Sequence, residues 1–321
     1  MNATYVLWGE EMSILTKTQQ KELIRAIYRL RMKDPRMKTH EMARNLGVVR
    51  NTAYEYEKRA KEQGILFSPQ LRLKMYNDVK EYVYALSSDD AYFHFHQLQK
   101  DARTCYVLFA TGFIDFLIIS SEQFSQRELQ DLGEVKLMGT RSNYIYPTIP
   151  SYDYETAIDK IEELSKGEFE KSVLQVEYPG RRVKWKEIDW KLYKLLKYDL
   201  TKKYTELARD VKMSYDGFRW SLRRILANSQ VIVPYYPEGY SNYFRFYFML
   251  QGEYEEMLIE MFSLISTCIP MYKVNDWILV YFNVYTLELA DRFFGILFDL
   301  QDRGYIDRIK TAFPISYWHP D

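Results

Sequence analysis

The chain is poor in most of the residue types that would place a protein at once, and each shortage excludes something. Cysteine occurs twice in 321 residues, at Cys105 and Cys268, with no CxxC pair. That excludes a disulfide framework and a cysteine-built zinc site, and it suits a reducing, cytoplasmic compartment. Glycine (13) and proline (10) are scarce, while tyrosine (29) is abundant. A collagen-like or low-complexity disordered chain is thereby excluded, and packed globular units are expected. Histidine is limited to His40, His94, His96 and His319. Only His94 and His96 are close, and two positions apart on a helix they point to different faces, which suits neither one metal nor one acid–base site. The longest apolar stretch, residues 106–121, is interrupted by Thr111, Gly112 and Asp115 and falls short of the roughly 20 residues a bilayer-spanning helix needs. No membrane partner is expected. The first fifteen residues carry Glu10 and Glu11 and no basic start, unlike a secretory signal. A nucleophile–base pair, metal-ligand spacing and a glycine-rich phosphate loop are all missing, so the expectation is a chain that is not an enzyme and has no cofactor.

What is present is a strong charge pattern beneath a net charge of zero. Residues 1–15, 16–75, 76–179, 180–231 and 232–321 carry net charges of −2, +9, −9, +8 and −6. Two basic blocks alternate with two acidic ones, and a polyanionic partner fits the basic blocks.

Each basic block contains a candidate helix-turn-helix. In the first, residues 18–33 space Leu23, Ile27 and Leu30 on one helical face, residues 39–46 form a short helix, Gly47 permits the turn, and residues 50–63 form the second helix. In the second, residues 188–198 repeat the leading helix and residues 204–225 (YTELARDVKMSYDGFRWSLRRI) give the pair, with Ser214 as N-cap and Phe218, Leu222 and Ile225 facing inward. Residues 65–75 and 230–243 occupy wing positions, the first expected to turn at Ser68-Pro69. On duplex DNA, Asn51, Tyr54, Glu55 and Lys58 would face the groove from the first head, and Tyr215, Asp216, Arg219, Trp220 and Arg223 from the second. Arg50, Arg72, Lys74, Arg181, Arg182 and Arg224 would serve phosphates. A helix with a charged outer face is also an ordinary surface helix, so context must decide.

Each acidic block reads as strand, helix, strand, strand, helix, strand. In the first these are residues 81–87, 90–101, 104–110, 113–120, 126–132 and 143–149. In the second they are residues 244–250, 254–266, 271–274, 277–283, 287–302 and 306–316. A shift of 165 residues places Ala43 and Arg44 on Ala208 and Arg209, and a shift of 163 places Cys105 on Cys268 and Gly112 on Asn275. Matched element order and matched charge blocks indicate an internal duplication. The segments are then 1–15, an N-terminal stretch; 16–75 and 185–235, two helix-turn-helix domains; 76–150 and 236–321, two αβ domains; and 151–184, a partly helical linker.

Carried by IDWKLYKLL, YTELARDVKMSYDGFRWSLRRI and CYVLFATGFIDFLIIS, each half resembles an Lrp/AsnC (feast/famine) transcriptional regulator. The resemblance implies an α+β chain with two winged helix-turn-helix domains, each followed by a βαββαβ ferredoxin-like (RAM-type) domain. It also implies double-stranded DNA as partner, an amino-acid-like effector at the Thr111-Gly112-x-x-Asp115 hairpin, and pairing through the αβ domains, as a homo-oligomer or a covalent pseudo-dimer. The same hairpin is equally a tight turn whose Asp bonds backbone. Departures from the family are Val49 in place of a capping Ser, Glu57 toward the core face, and Asn275-Asp276 in place of the second hairpin's pattern. Siroheme decarboxylases resemble the same family, but their His-Asn-Tyr-x-Arg motif is missing here. An architectural, protein-interaction module is the third reading.

Overall fold

A computed structural model describes residues 16–175 and 182–320; the stretch 1–15 and Arg181 lie outside the described residues. In chain order the first half holds α1 (Lys17–Lys33), α2 (Thr39–Leu46), α3 (Arg50–Glu62), β1 (Gln70–Leu73), β2 (Tyr82–Ser87), α4 (Ala91–Leu98), β3 (Thr104–Gly112), β4 (Phe116–Ser120), α5 (Gln126–Leu132) and β5 (Glu134–Thr140). After α6 (Tyr154–Ser165) the second half holds α7 (Glu187–Leu196), α8 (Tyr204–Val211), α9 (Tyr215–Ala227), β6 (Ser229–Ile232), β7 (Phe244–Gln251), α10 (Glu255–Ser263), β8 (Met271–Val274), β9 (Trp277–Val284), α11 (Leu287–Asp302) and β10 (Arg308–Trp318). Among the described residues two compact units result, and each is drawn from both halves: residues 16–72 with 187–242, and residues 73–175 and 182–186 with 243–320. No helix among the described residues is long and apolar enough to cross a membrane.

In the first unit, two three-helix sets form where the helical periodicity predicts. A capping box of Thr16 and Gln19 starts α1, and Ser214 accepts from the Gly217 N–H to start α9. Gly47 ends α2 at φ 67°, and its counterpart Lys212 ends α8 at φ 48°, so the second set holds the same turn with a residue that tolerates it less well. Ser221, rather than Leu222, is the buried residue between Phe218 and Ile225.

The wings differ from expectation. Neither 65–75 nor 230–243 folds back as a hairpin; β1 pairs with β6, making one two-stranded sheet shared by both sets. Backbone bonds extend the exchange, with Phe67 N–H donating to Pro234 O (3.0 Å), Tyr236 N–H to Ile65 O (2.7 Å) and Leu71 N–H to Lys197 O (2.7 Å). Tyr28 stacks on Tyr235 at 4.8 Å, and Arg36 donates to the carbonyls of Leu200 and Lys202. Hairpin formation needs a two- to five-residue loop of suitable turn residues, and Ser68-Pro69 instead directs the chain toward a distant strand.

Each three-helix set also holds an ion pair on a buried residue, at different levels, the first closed from solvent and the second open on its arginine side. Arg31 of α1 donates from Nε and Nη2 to the Glu57 carboxylate of α3, both at 2.9 Å and both residues buried. A shift of 165 residues places Leu196 and Leu222 at those positions in the second set. There the pair is Asp189 of α7 with Arg224 of α9, at 2.8 and 3.2 Å, where the first set has Ile24 and Arg59. Each third helix is thus keyed to its own set, because exchange would leave Arg31 buried against a leucine.

In the second unit an eight-stranded antiparallel sheet runs in the order β5-β2-β4-β3-β10-β7-β9-β8. Each half contributes the βαββαβ order expected, and the two four-stranded sheets have the same internal arrangement. Strands β3 and β10 zip the halves together, from Ala312 opposite Gly112 to Trp318 opposite Val107, with a bulge between Pro314 and Ser316. The sheet curls until the end of β5 reaches β8, through bridges at Arg141–Val274 and Ile145–Met271. Its inner face is a core of Val83, Ala85, Leu108, Leu117, Met249 and Leu279. Helix α6, expected within a linker, packs on α10 and α11, and Arg292 of α11 bonds its Asp159 and Glu162.

The last strand of the first αβ half is Glu134–Thr140, not 143–149. Gly133, at φ 139° and too close to Ser87 O for any Cβ, releases the strand directly after α5. Its charged residues Glu134 and Lys136 hide the apolar alternation that residues 144–149 display more openly.

The keyed ion pair yields a stability test. Glu57→Leu strands the buried Arg31 and is expected to cost about 3–5 kcal/mol, whereas Arg31→Leu with Glu57→Leu, the residues of the other set, is expected to stay within about 1 kcal/mol of the parent or exceed it, by urea unfolding at pH 7. Burial pushes the Glu57 carboxyl up, but hydrogen bonds and charge from Arg31, then Lys61, outweigh it and hold the group below its ordinary 4.5. A carboxyl depressed on folding stabilises above its unfolded pKa, and that contribution is lost as pH falls through the folded value. The parent should therefore lose stability below about pH 4.5 more steeply than the double leucine variant.

Candidate functional site

The inner face of a curled sheet is ordinarily apolar, because each inward side chain loses its water. Here one end departs from that rule. Arg141, just past β5 and only 1% exposed, donates from Nε to Glu81 Oε2 at 2.7 Å and from Nη1 to Ser142 O at 2.8 Å, with its guanidinium 4.1 Å from the Tyr144 ring centroid. Burial opposes the charge, but the Glu81 carboxylate and the neighbouring phenols outweigh it, and Arg141 remains a cation. The hydroxyls of Tyr247 and Tyr272 meet at 2.6 Å inside the core. Burial pushes both phenols up, so they stay neutral hydrogen-bond donors across the physiological range.

More polar groups join them. The Tyr144 ring meets Tyr272 edge-on at 5.3 Å, Tyr281 lies 6.5 Å from Tyr247, and Tyr106 stacks on Tyr317 at 6.1 Å. In the β7–β9 ladder Arg245 sits opposite Asn283, two residues from Tyr247 and Tyr281, so strand alternation puts all four on the inner face. Asn283 is fully buried; its Nδ2 donates to Cys268 O at 3.0 Å, and its Oδ1 has no hydrogen-bond partner among the described residues. Arg141, Glu81, Tyr144, Tyr272 and Tyr247 are thus linked contact by contact, and Arg245 and Asn283 lie on the same inner face further along β7 and β9. Such a set can hold carboxylates, donate protons from phenols and stack on a flat ring.

The residues expected from the sequence are elsewhere or otherwise engaged. On α3, Arg50, Asn51, Tyr54, Glu55 and Lys58 are exposed, with Lys58 3.8 Å from Glu62. Tyr215, Asp216, Arg219, Trp220 and Arg223 are exposed on α9. Arg219 lies over the Tyr215 ring at 5.9 Å and Arg223 over Trp220 at 5.3 Å. Arg224 differs from them, since its guanidinium engages the buried Asp189. Arg72 is half-buried, bonded to Leu71 O and Gln70 Oε1 and lying over Tyr198; Lys74 is half-buried and Arg182 exposed. At the hairpin, Thr111 and Gly112 are exposed, while the Asp115 carboxylate accepts from Ser87 Oγ and Ser88 N–H, both at 2.8 Å. Gly112, at φ 121°, has Thr311 O 2.9 Å from where a Cβ would be. His94 bonds Ser88, and no cluster of metal-ligating residues occurs among the described residues.

Sequence reasoning missed Glu81, Arg141, Arg245, Tyr247, Tyr272 and Asn283. Two signals were available: Arg245 is the one charge in the strand FRFYFMLQ, and Asn143-Tyr144 keeps the central pair of the His-Asn-Tyr-x-Arg motif, with Ser142 and Tyr146 in place of His and Arg.

No protein-family model matches the sequence, and no curated protein is similar to it. Among solved structures, the crystal structure of the siroheme decarboxylase NirDL matches with a TM-score of 0.48 and 11% identity, over 92% of this chain and 91% of that one. The same protein in co-complex with an iron-uroporphyrin III analogue matches with a TM-score of 0.47 and 11% identity, over 92% of each chain. The expectation of a chain that is not an enzyme is corrected accordingly, since the solved structures it is similar to are those of an enzyme. What this chain does is a matter for its own residues.

The tyrosine pair gives a direct energetic test of the buried network. Tyr272→Phe leaves the Tyr247 hydroxyl without its partner and is expected to cost about 1–3 kcal/mol. With Tyr247→Phe added, the total should fall short of the two single losses by about 1 kcal/mol in a double-mutant cycle read by urea unfolding.

Proposed function

We propose that the curled-sheet unit is the working part of the protein and that its tyrosine-rich end acts on a carboxylate-bearing ring compound of the class handled by a siroheme decarboxylase. The observation that carries this reading is the placement of Arg141, Glu81 and their linked tyrosines, with Arg245 and Asn283 further along β7 and β9, on an inner face that packing alone would have filled with aliphatic side chains. Decarboxylation breaks a C–CO2 bond and leaves an electron pair that a proton must take. The carboxylate needs a fixed cation beforehand, and the carbon needs a donor afterwards. Arg245 suits the first task, since Arg141 is committed to Glu81, and the less buried phenols suit the second. Tyr106, Tyr144 and Tyr281, half-buried, and Tyr317, exposed, are the phenols of this set that the core does not enclose.

Within this reading the chain is a covalent pseudo-dimer, because the β3–β10 seam joins in one polypeptide two halves that separate subunits would otherwise pair. Titration with iron-uroporphyrin III, followed by its visible spectrum, tests the proposal. Saturable binding is expected, weakened at least about tenfold by Arg245→Gln through loss of one charge-assisted contact. Absence of a spectral change, or equal binding by Arg245→Gln, would count against it.

A second reading concerns the first unit. The three-helix sets with their shared β1–β6 sheet suit a double winged helix-turn-helix that binds duplex DNA, and the observation that favours it is the outer face of α9. Among the described residues Arg219 and Arg223 have no carboxylate partner and lie only over aromatic rings. Fluorescence anisotropy on duplex DNA should show affinity falling as salt rises. Arg219→Ala with Arg223→Ala should flatten the log–log slope by about 2. An unchanged slope would rule out α9 as the contact.

A further inference from the structure

The two αβ halves are built alike but covered differently. In the second half, α11 has sixteen residues and seals its sheet with phenylalanines: Phe293 stacks on Phe282 at 4.3 Å and meets Phe262 at 5.4 Å. In the first half, α5 has only seven residues, about 10 Å of helix at 1.5 Å per residue. It cannot cover β5 and β2. The seam differs too: β3 and β10 pair along most of their length, whereas β5 touches β8 only near its end, at Arg141. A bulge at Lys136, between Val135 opposite Leu86 and Leu137 opposite Ala85, keeps the free edge of β5 from offering a regular ladder to another strand. What remains between α5 and β5 is a cleft of about 1000 Å³, at the upper end of the usual range for small-molecule sites.

Its lining is specific in kind. Tyr82 and Tyr84 of β2 lie opposite Thr140 and Met138 of β5, so these four side chains form one floor. Met138 is 57% exposed, an adaptable thioether facing open space. Gln126 and Gln130, one turn apart on α5, stand at the rim with Gln123, and Asn275 closes the far end, its Nδ2 donating to Met138 O at 3.0 Å. The only charged lining residues, Glu134 and Lys136, pair with each other. An ionic ligand would lose water here without gaining a counter-charge. A flat, uncharged ring would stack on tyrosine and thioether while carboxamides met its polar edge, as Asn and Gln do with adenine.

We propose that this cleft is a second ligand site, separate from the tyrosine–arginine end, and that it takes an uncharged planar heterocycle of purine size. Adenosine is the probe, titrated into the full chain carrying methyl-labelled methionine, with the Met138 methyl followed by NMR. The expected result is a saturable shift with a Kd below about 1 mM. Met138→Trp, which fills the floor from an exposed position, should weaken it at least about tenfold, and Gln130→Ala, on the exposed rim, at least about threefold, both with unaltered thermal unfolding. Adenosine monophosphate should bind less tightly than adenosine, because its phosphate finds no free cation in the lining. The proposal is overturned if adenosine gives no saturable shift by about 5 mM, if both variants bind as the parent does, or if the monophosphate binds as tightly or more tightly.

Discussion

The antiparallel seam between β3 and β10 is the constraint on which the second unit depends. It ties the second strand of the first βαββαβ half to the last strand of the second, and so makes one eight-stranded sheet from two four-stranded ones. By the near-symmetry of the halves, the equivalent seam would lie between β5 and β8, and the curl does bring those strands together at Arg141 and Ile145. One seam is closed along its length and the other only at its end. The difference follows from the strands themselves, since β10 has eleven residues whereas β5 has seven and a bulge.

That asymmetry organises the chemistry. Where the partial seam does close, the chain just past β5 carries Arg141 into the interior beside Glu81, Tyr144 and the Tyr247–Tyr272 pair, and a buried cation there needs every one of its hydrogen bonds. Where the seam stays open, the short α5 leaves a cleft whose charged lining residues, Glu134 and Lys136, pair with each other. The two regions have opposite character, one rich in cations and phenols, the other neutral and rimmed by carboxamides. Duplication supplied two similar frames, and divergence in helix length and inward residues gave them different interiors.

Much of the fold was legible locally. Helices α1 to α3 and α7 to α9 announce themselves through the cap at Ser214, the left-handed turn at Gly47 and spaced apolar residues. The hairpin β8–β9 is marked by Asn275-Asp276, with Asn275 at φ 54°. What local pattern could not show is pairing between distant segments. The shared β1–β6 sheet replaces two wings, and it depends on contacts more than 150 residues apart, such as Phe67 with Pro234. The same limit hid the site. Arg141 and Glu81 look like surface charges in sequence, and Asn283 like the end of a strand, until the sheet turns them to its inner face. The cationic helix α9 drew attention because its outer residues are contiguous in the chain, whereas the inner-face cluster is assembled from five strands or strand ends.

The central claim is that the polar inner end of the curled sheet is where ligand meets protein. Hydrogen–deuterium exchange of the full chain, with and without iron-uroporphyrin III, measures this most directly. The account predicts new protection in the peptides spanning residues 141–146, 245–247 and 281–283, with little change on α9. Unchanged exchange in those peptides, or protection confined to the three-helix sets, would contradict it.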